Sequence, residues 1–372
     1  MIDDLTLRIG GADISGWTEV RVTRGVERVP GDFEISMTER YLGDLHAVTM
    51  LPGQSCQVLL GTDVVITGYV DRFTPGISAR GHQIRVSGRG KCCDLLDCSA
   101  EWPGGQISGT NALDVARKLA QPYGISVALA AGIPAGAVIP QFNLILGETA
   151  WEIIERVCRY QALLAYELAD GSLLLDQVGT IAHSSGFATG ANVQEASIQY
   201  GMDQRYSDYV AFIQSVETYN DSSTGTVDPN RIAHVTDATV TRHRQLDIIA
   251  EAAAGGMDIA RARAQWEKAR RWGRSFACTL TADSWRDSAG ELWQPNNLAL
   301  LDVPELKLPR QHWIIGEVSY RLDRAGTTAE LTLMPPPAFE PEPVLLQPQW
   351  LMELSGGGFQ FQGGNVPQGG AR

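Results

Sequence analysis

The chain has 372 residues, 44% of them apolar and 20% charged, a balance that permits a sizeable core and excludes wholesale disorder. At ~150 residues per domain, the length predicts about two or three domains. Its 43 acidic and 30 basic residues leave a formal charge of −13, which excludes a protein that grips nucleic acid or an anionic membrane through basic surface, though not one that nucleic acid passes without sticking.

Residues 1–91 read as a first β domain. Leu5-Thr6-Leu7-Arg8-Ile9 alternates apolar and polar side chains before a Gly10-Gly11 turn. Further strands are predicted at Glu19–Val22, Asp32–Met37, Gln54–Leu60, Val64–Phe73 and His82–Ser87, separated by Pro30-Gly31, Pro52-Gly53, Gly61, Pro75-Gly76 and Gly81. Many short strands at this spacing predict a sandwich or small barrel. The opening Met1-Ile2-Asp3-Asp4 carries acids where a secretory signal has basic residues, and no run of about 18 apolar residues follows anywhere. A product made in a cytoplasm is expected, its six cysteines reduced and mostly buried.

Residues 92–178 predict a small α/β module. A first helix runs from Thr110, the expected N-cap, through Leu113, Ala116 and Leu119 to a stop at Pro122 and Gly124. Thr149 and Glu152 fit a capping box opening a second helix, whose period is kept by Ile153, Ile154, Val157, Tyr160 and Leu164. Strands at Ile125–Leu129 and Leu164–Leu168 follow the two helices as a weak internal repeat, with Pro140–Leu146 between them and Ser172–Gln177 closing the module.

Residues 179–334 predict a second β domain. A polar loop at Asn220–Gly225 and one helix at about 257–272 interrupt strands at Ser275–Ala282, Leu298–Val303, His312–Tyr320 and Ala329–Leu333. Ile259, Ala262, Trp266 and Ala269 are the expected apolar helix face, and basic residues gather toward its end, as the helix dipole favours. Residues 335–372 are a Pro/Gly-rich tail, with Trp350–Leu354 as an apolar docking segment. The expected class is therefore α+β, mainly β: two similar barrel- or sandwich-like domains around an inserted α/β domain.

Chemistry-bearing patterns are weak throughout. Gly88-Arg89-Gly90-Lys91 lacks the earlier glycine and the following Ser/Thr of a phosphate loop, so a tight turn is the ordinary reading. Cys92, Cys93 and Cys98 lack zinc spacing and a nearby His. No Gly-x-Ser-x-Gly elbow occurs, and the pairs Asp94/Asp97 and Asp283/Asp287 are expected by chance in an acidic chain. No catalytic, cofactor or metal residues are predicted. Arg261, Arg263, Lys268, Arg270, Arg271 and Arg274 form either a solvated helix face or a protein interface. Trp285 and Trp293 flank a polar hairpin and admit three readings: core packing, interface anchors, or a sugar-stacking platform.

Trp266–Arg274, Trp285-Arg286-Asp287 with Gly290–Asn296, Ile314–Tyr320, Gly326-Thr327 and Leu333–Phe339 resemble the phage baseplate hub proteins of the Mu tail protein P type. Thr149–Glu152 and Ala169–Leu175 match colinearly upstream. The resemblance covers nearly the whole chain. It implies kinship with the T4 hub and the base of type VI secretion spikes, and a homotrimer with two β domains per protomer arranged as a ring of six. Such a ring adapts a six-fold tail tube to a three-fold spike around a channel crossed by DNA without specific binding. It implies a virion component assembled in the host cytoplasm, with tube, spike and other baseplate proteins as partners and no enzymatic step; no fused lysozyme is expected after residue 334. Interface candidates are Trp266, Arg270, Arg271, Trp285, Trp293 and Trp350. The alternative is a carbohydrate- or receptor-binding tail component using Trp285 and Trp293.

Overall fold

The computed structural model describes residues 4–39, 50–78, 81–136, 138–139, 142–213, 232–250 and 257–342. The first β block holds β1 (Leu5–Ile9), β2 (Ala12–Ile14), β3 (Glu19–Gly25), β4 (Asp32–Glu39), β5 (Ser55–Leu60), β6 (Asp63–Ser78) and β7 (Gly81–Gly90). In β1 the alternation points Leu5, Leu7 and Ile9 inward, and Gly10 and Gly11, both at left-handed φ, turn the chain into β2. The order is β3-β4-β7-β6-β5-β1-β2, with every neighbouring pair antiparallel.

The α/β module follows with α1 (Cys93–Asp97), β8 (Gln106–Ile107), α2 (Ala112–Ala120), β9 (Val127–Leu129), β10 (Phe142–Asn143), α3 (Ala150–Tyr160), β11 (Leu164–Glu167) and β12 (Leu173–Asp176). The N-cap of α2 is Asn111 rather than Thr110: its Oδ1 accepts the Asp114 amide at 3.0 Å. The Thr149–Glu152 capping box forms as expected, with the Thr149 amide donating to Glu152 Oε2 at 2.8 Å and the Glu152 amide to Thr149 Oγ1 at 3.2 Å. The helical period does not carry to Leu164. α3 stops at Tyr160, Ala162 takes a left-handed φ of 53°, and Leu164 opens β11. The expected strand at 140–146 shortens to β10. β12 lies between β11, antiparallel, and β9, parallel, and both long helices press their apolar stripes against this sheet: Val115, Ala116, Leu119, Ile153, Ile154 and Val157 share one buried cluster with Leu173 and Leu175.

The remainder comprises β13 (Phe187–Ala188), β14 (Val193–Tyr200), β15 (Asp208–Ile213), β16 (Ile232–Thr236), β17 (Gln245–Ala250), α4 (Met257–Arg274), β18 (Phe276–Ala282), β19 (Leu298–Asp302), β20 (Gln311–Asp323) and β21 (Gly326–Met334). β14, β18, β21 and β20 extend the first block's sheet, because β20 pairs antiparallel with β3 from Glu317↔Gly25 to Leu322↔Val20. The two blocks also share one apolar core. Leu5, Val22, Phe33 and Val58 from the first lie in the same cluster as Leu280, Trp285, Trp293, Trp313 and Tyr320 from the second. Full burial of each large apolar side chain contributes about 1.5–3 kcal/mol, so neither block's inward face is complete without the other.

β15, β16 and β17 do not join that sheet. They form a separate three-stranded sheet covered by α4, with Tyr209, Ala211, Ala233, Ile248, Ala260 and Ala264 as its core. The polar loop at 220–225 and the Trp350–Leu354 segment lie outside the described residues.

Candidate protein interface

α4 is held by side chains spaced four residues apart. Arg263 Nη1 and Arg271 Nε donate to the Glu267 carboxylate at 2.7 and 2.6 Å, bracketing it from both turns. The buried positions are Ala260 and Ala264 rather than the expected Ala262 and Trp266, because two methyl-sized side chains let the helix approach the three-stranded sheet closely. At the other end Gly273 lies against the chain leaving the core; a Cβ there would fall 2.5 Å from the Ala338 amide nitrogen.

This rotation turns Trp266 and the arginines toward two neighbours. On one flank, residues 338–342 run along α4 as a strap. Trp266 Nε1 and Arg270 Nη1 donate to the Glu340 carbonyl at 2.8 and 2.9 Å, Arg274 Nε donates to the Ala338 carbonyl at 3.2 Å, and Arg263 meets Glu342 at 2.8 Å. Arg263 and Arg270 also lie over the Trp266 ring, at 4.5 and 5.4 Å from its centroid. The same side chains border a cleft of about 420 Å³, walled by α4 and the adjoining ends of β14 and β18, with Trp266, Arg270, Arg271, Asp203, Glu267 and Gln199 among its lining residues. Arg270 and Arg274 share Glu27, at 3.0 and 2.6 Å. Burial and the Arg274 charge push the Arg270 guanidinium below its ordinary value, against the pull of Glu27. Three of the six expected interface residues, Trp266, Arg270 and Arg271, are thus brought together.

Trp285 and Trp293 are not. Both are fully buried in the chain's own core, which corrects their assignment as interface anchors and removes the exposed pair a sugar platform needs. The Trp285 indole N–H donates to the Arg321 and Thr328 carbonyls, at 2.9 and 3.0 Å, and that of Trp293 to the Ser284 carbonyl at 3.0 Å. In their hairpin Asp287 is buried, whereas Ser288 to Glu291 are exposed. Arg286 reaches the first block at Asp63 (2.7 Å) and the Leu60 carbonyl (3.0 Å). Trp350, the sixth candidate, lies outside the described residues.

Asp287 and His183 have the outline of a catalytic dyad but are locked as structure. Asp287 accepts His183 Nδ1 at 3.2 Å and the amides of Ser184, Ala289 and Glu291 at 2.9–3.1 Å. The Gln294 amide donates to His183 Nε2 at 3.1 Å, so that nitrogen is the acceptor and Nδ1 carries the proton. The nitrogen a general base would use is therefore occupied by backbone. Burial opposes ionisation of Asp287, yet the amides and His183 hold its carboxyl below the usual range.

Gly88-Arg89-Gly90 is the end of β7, not a turn. Arg89 is spent on Asp71 and Asp97, at 2.7 and 2.8 Å, and a Cβ on Gly88 would lie 2.6 Å from the Phe33 ring. The amide of Cys92, which a phosphate cradle would need, donates to Glu167. All six thiols are free and five are buried; burial pushes Cys56, Cys93 and Cys158 up to about 12. Among the described residues no group of three or more His, Cys, Asp or Glu is placed to hold a metal ion, and no helix is long and apolar enough to cross a membrane.

Residues 4–90 match the family model of the Mu phage baseplate assembly protein GpP-like N-terminal domain, residues 92–177 that of the baseplate hub protein gp44-like second domain, and residues 256–342 that of the GpP fourth domain. Over 345 residues the chain is 30% identical to the baseplate hub protein gp44 of Escherichia phage Mu, covering 91% of this chain and 89% of that protein. The chain belongs to the Mu-type baseplate hub family. Among solved structures, this hub protein is similar to the 43 kDa tail protein of prophage MuSo2 from Shewanella oneidensis (TM-score 0.79, 28% identity, 91% of this chain and 99% of that one). At the level of fold alone it is similar to a type VI secretion component of E. coli, described as resembling the T4 tail proteins gp27 and gp5 (TM-score 0.52, 12% identity, 92% of this chain and 80% of that one). The hub protein is a structural component of the phage tail baseplate. Its separate β15–β17 unit was not expected from sequence; the runs Tyr209–Ile213 and Leu246–Ile249 are the signal that could have found it.

Proposed function

We propose that three copies of this hub protein close into a ring that adapts a six-fold tail tube to a three-fold central spike and surrounds the channel through which DNA leaves a contractile tail. The observation that carries this reading is the β3–β20 pairing, which fastens the two β blocks of one chain side by side in a single sheet. Two similar blocks per copy supply the six positions a tube requires from three chains. The ring is assembled in the host cytoplasm with tube, spike and other baseplate proteins. The DNA passes without specific binding, in keeping with the −13 formal charge. No catalytic step is assigned to this chain. The tail beyond Glu342 is assigned to docking on the spike or a neighbouring baseplate protein. A truncation testing that role must start after Glu342, since Glu340 and Glu342 fasten α4 within the chain.

Light scattering tests the ring. The chain, alone or with its co-expressed spike, is expected to show three copies of 40.4 kDa each. One copy under both conditions would overturn the reading.

A further inference from the structure

We draw no further inference here: the strongest candidate, the exposed patch that Tyr200 at the end of β14 and Trp272 in the last turn of α4 form around the Phe276 ring, carries none because nothing in the structure shows what covers it.

Discussion

The Glu167 carboxylate stands where a side chain on Gly90 would begin: a Cβ at residue 90 would lie 2.0 Å from Glu167 Oε2. Glu167, the last residue of the α/β module's β11, accepts the amides of Gly31 and Cys92 at 2.9 and 2.8 Å. The module is thereby fastened to the first β block by a buried carboxylate seated over a glycine. Burial pushes the Glu167 carboxyl up, against the two amides that favour its charge.

Gly90→Ala is therefore expected to destabilise the chain by about 2–4 kcal/mol, since the new methyl displaces Glu167 and leaves the two amides without acceptors. Urea unfolding of Gly90→Ala, Glu167→Ala and the double variant checks it. The double variant is expected to lose clearly less than the sum of the singles. Strict additivity would contradict the contact.

Trp285→Phe keeps most of the apolar volume but removes an indole N–H shared by two carbonyls, and is expected to cost about 1–3 kcal/mol. Trp293→Ala, which also loses the Phe187 ring at 4.4 Å, is expected to cost about 3–5 kcal/mol. Thermal melts measure both. A change in glycan binding with unchanged stability would return the pair to a surface role.

Asp287 sets an acid limit. Its folded-state carboxyl lies below the usual range, so its contribution is fully present above about pH 4 and is lost as pH falls through the depressed folded value. Asp287→Asn is expected to weaken the chain by about 1–3 kcal/mol at pH 7, because an amide NH₂ faces donors that the carboxylate accepts. It is also expected to flatten the fall in stability between pH 5 and pH 3, at about the ordinary Asp value and below. Denaturant midpoints of both proteins across that range give the comparison; parallel curves would refute the assignment.

Arg205 and Asp237 form a buried pair at 2.7 Å, with side chains only 6% and 5% exposed. Asp237 also accepts the Thr239 amide and hydroxyl. Arg205→Ala leaves a buried carboxylate without its guanidinium and is expected to cost about 3–5 kcal/mol, opening the β15–β17 unit before the main sheet. Hydrogen exchange at Tyr209–Ala211 against Val318–Tyr320 reads the difference, and simultaneous exchange would argue against a separate unit.

Much of this fold is legible locally. The Leu5–Ile9 alternation, the Thr149–Glu152 capping box and the turns at Gly10-Gly11, Gly53 and Gly61 act over a few residues, and the structure reproduces them; the turn expected at Pro75-Gly76 instead lies inside β6, whose pairing with β7 carries the strand on to Ser78. Local reading fails where a partner distant in sequence decides. Thr110 and Asn111 are both acceptable caps, but Thr110 is held in an antiparallel bridge with Ile139, distant in sequence, and Asn111 caps the helix. The helical period runs past Tyr160 because Leu164 satisfies helix and strand alike; pairing with Asp176 makes it a strand. The α4 face shifts to Ala260 and Ala264 because a sheet whose strands begin as far back as Asp208 packs there.

Composition and charge by themselves determined a chain with a sizeable core and no basic grip on DNA, because apolar fraction and net charge are sums that folding does not alter. Which of the expected interface residues share a surface was decided only in three dimensions. Trp266, Arg270 and Arg271 converge because one helix sets their spacing and a strap and a sheet edge flank it, whereas Trp285 and Trp293, equally conspicuous in the chain, fill the space where two β blocks close on one core. An indole is amphipathic enough for either place. Only the strands around it determine whether its N–H meets a carbonyl of the same chain or the surface of another.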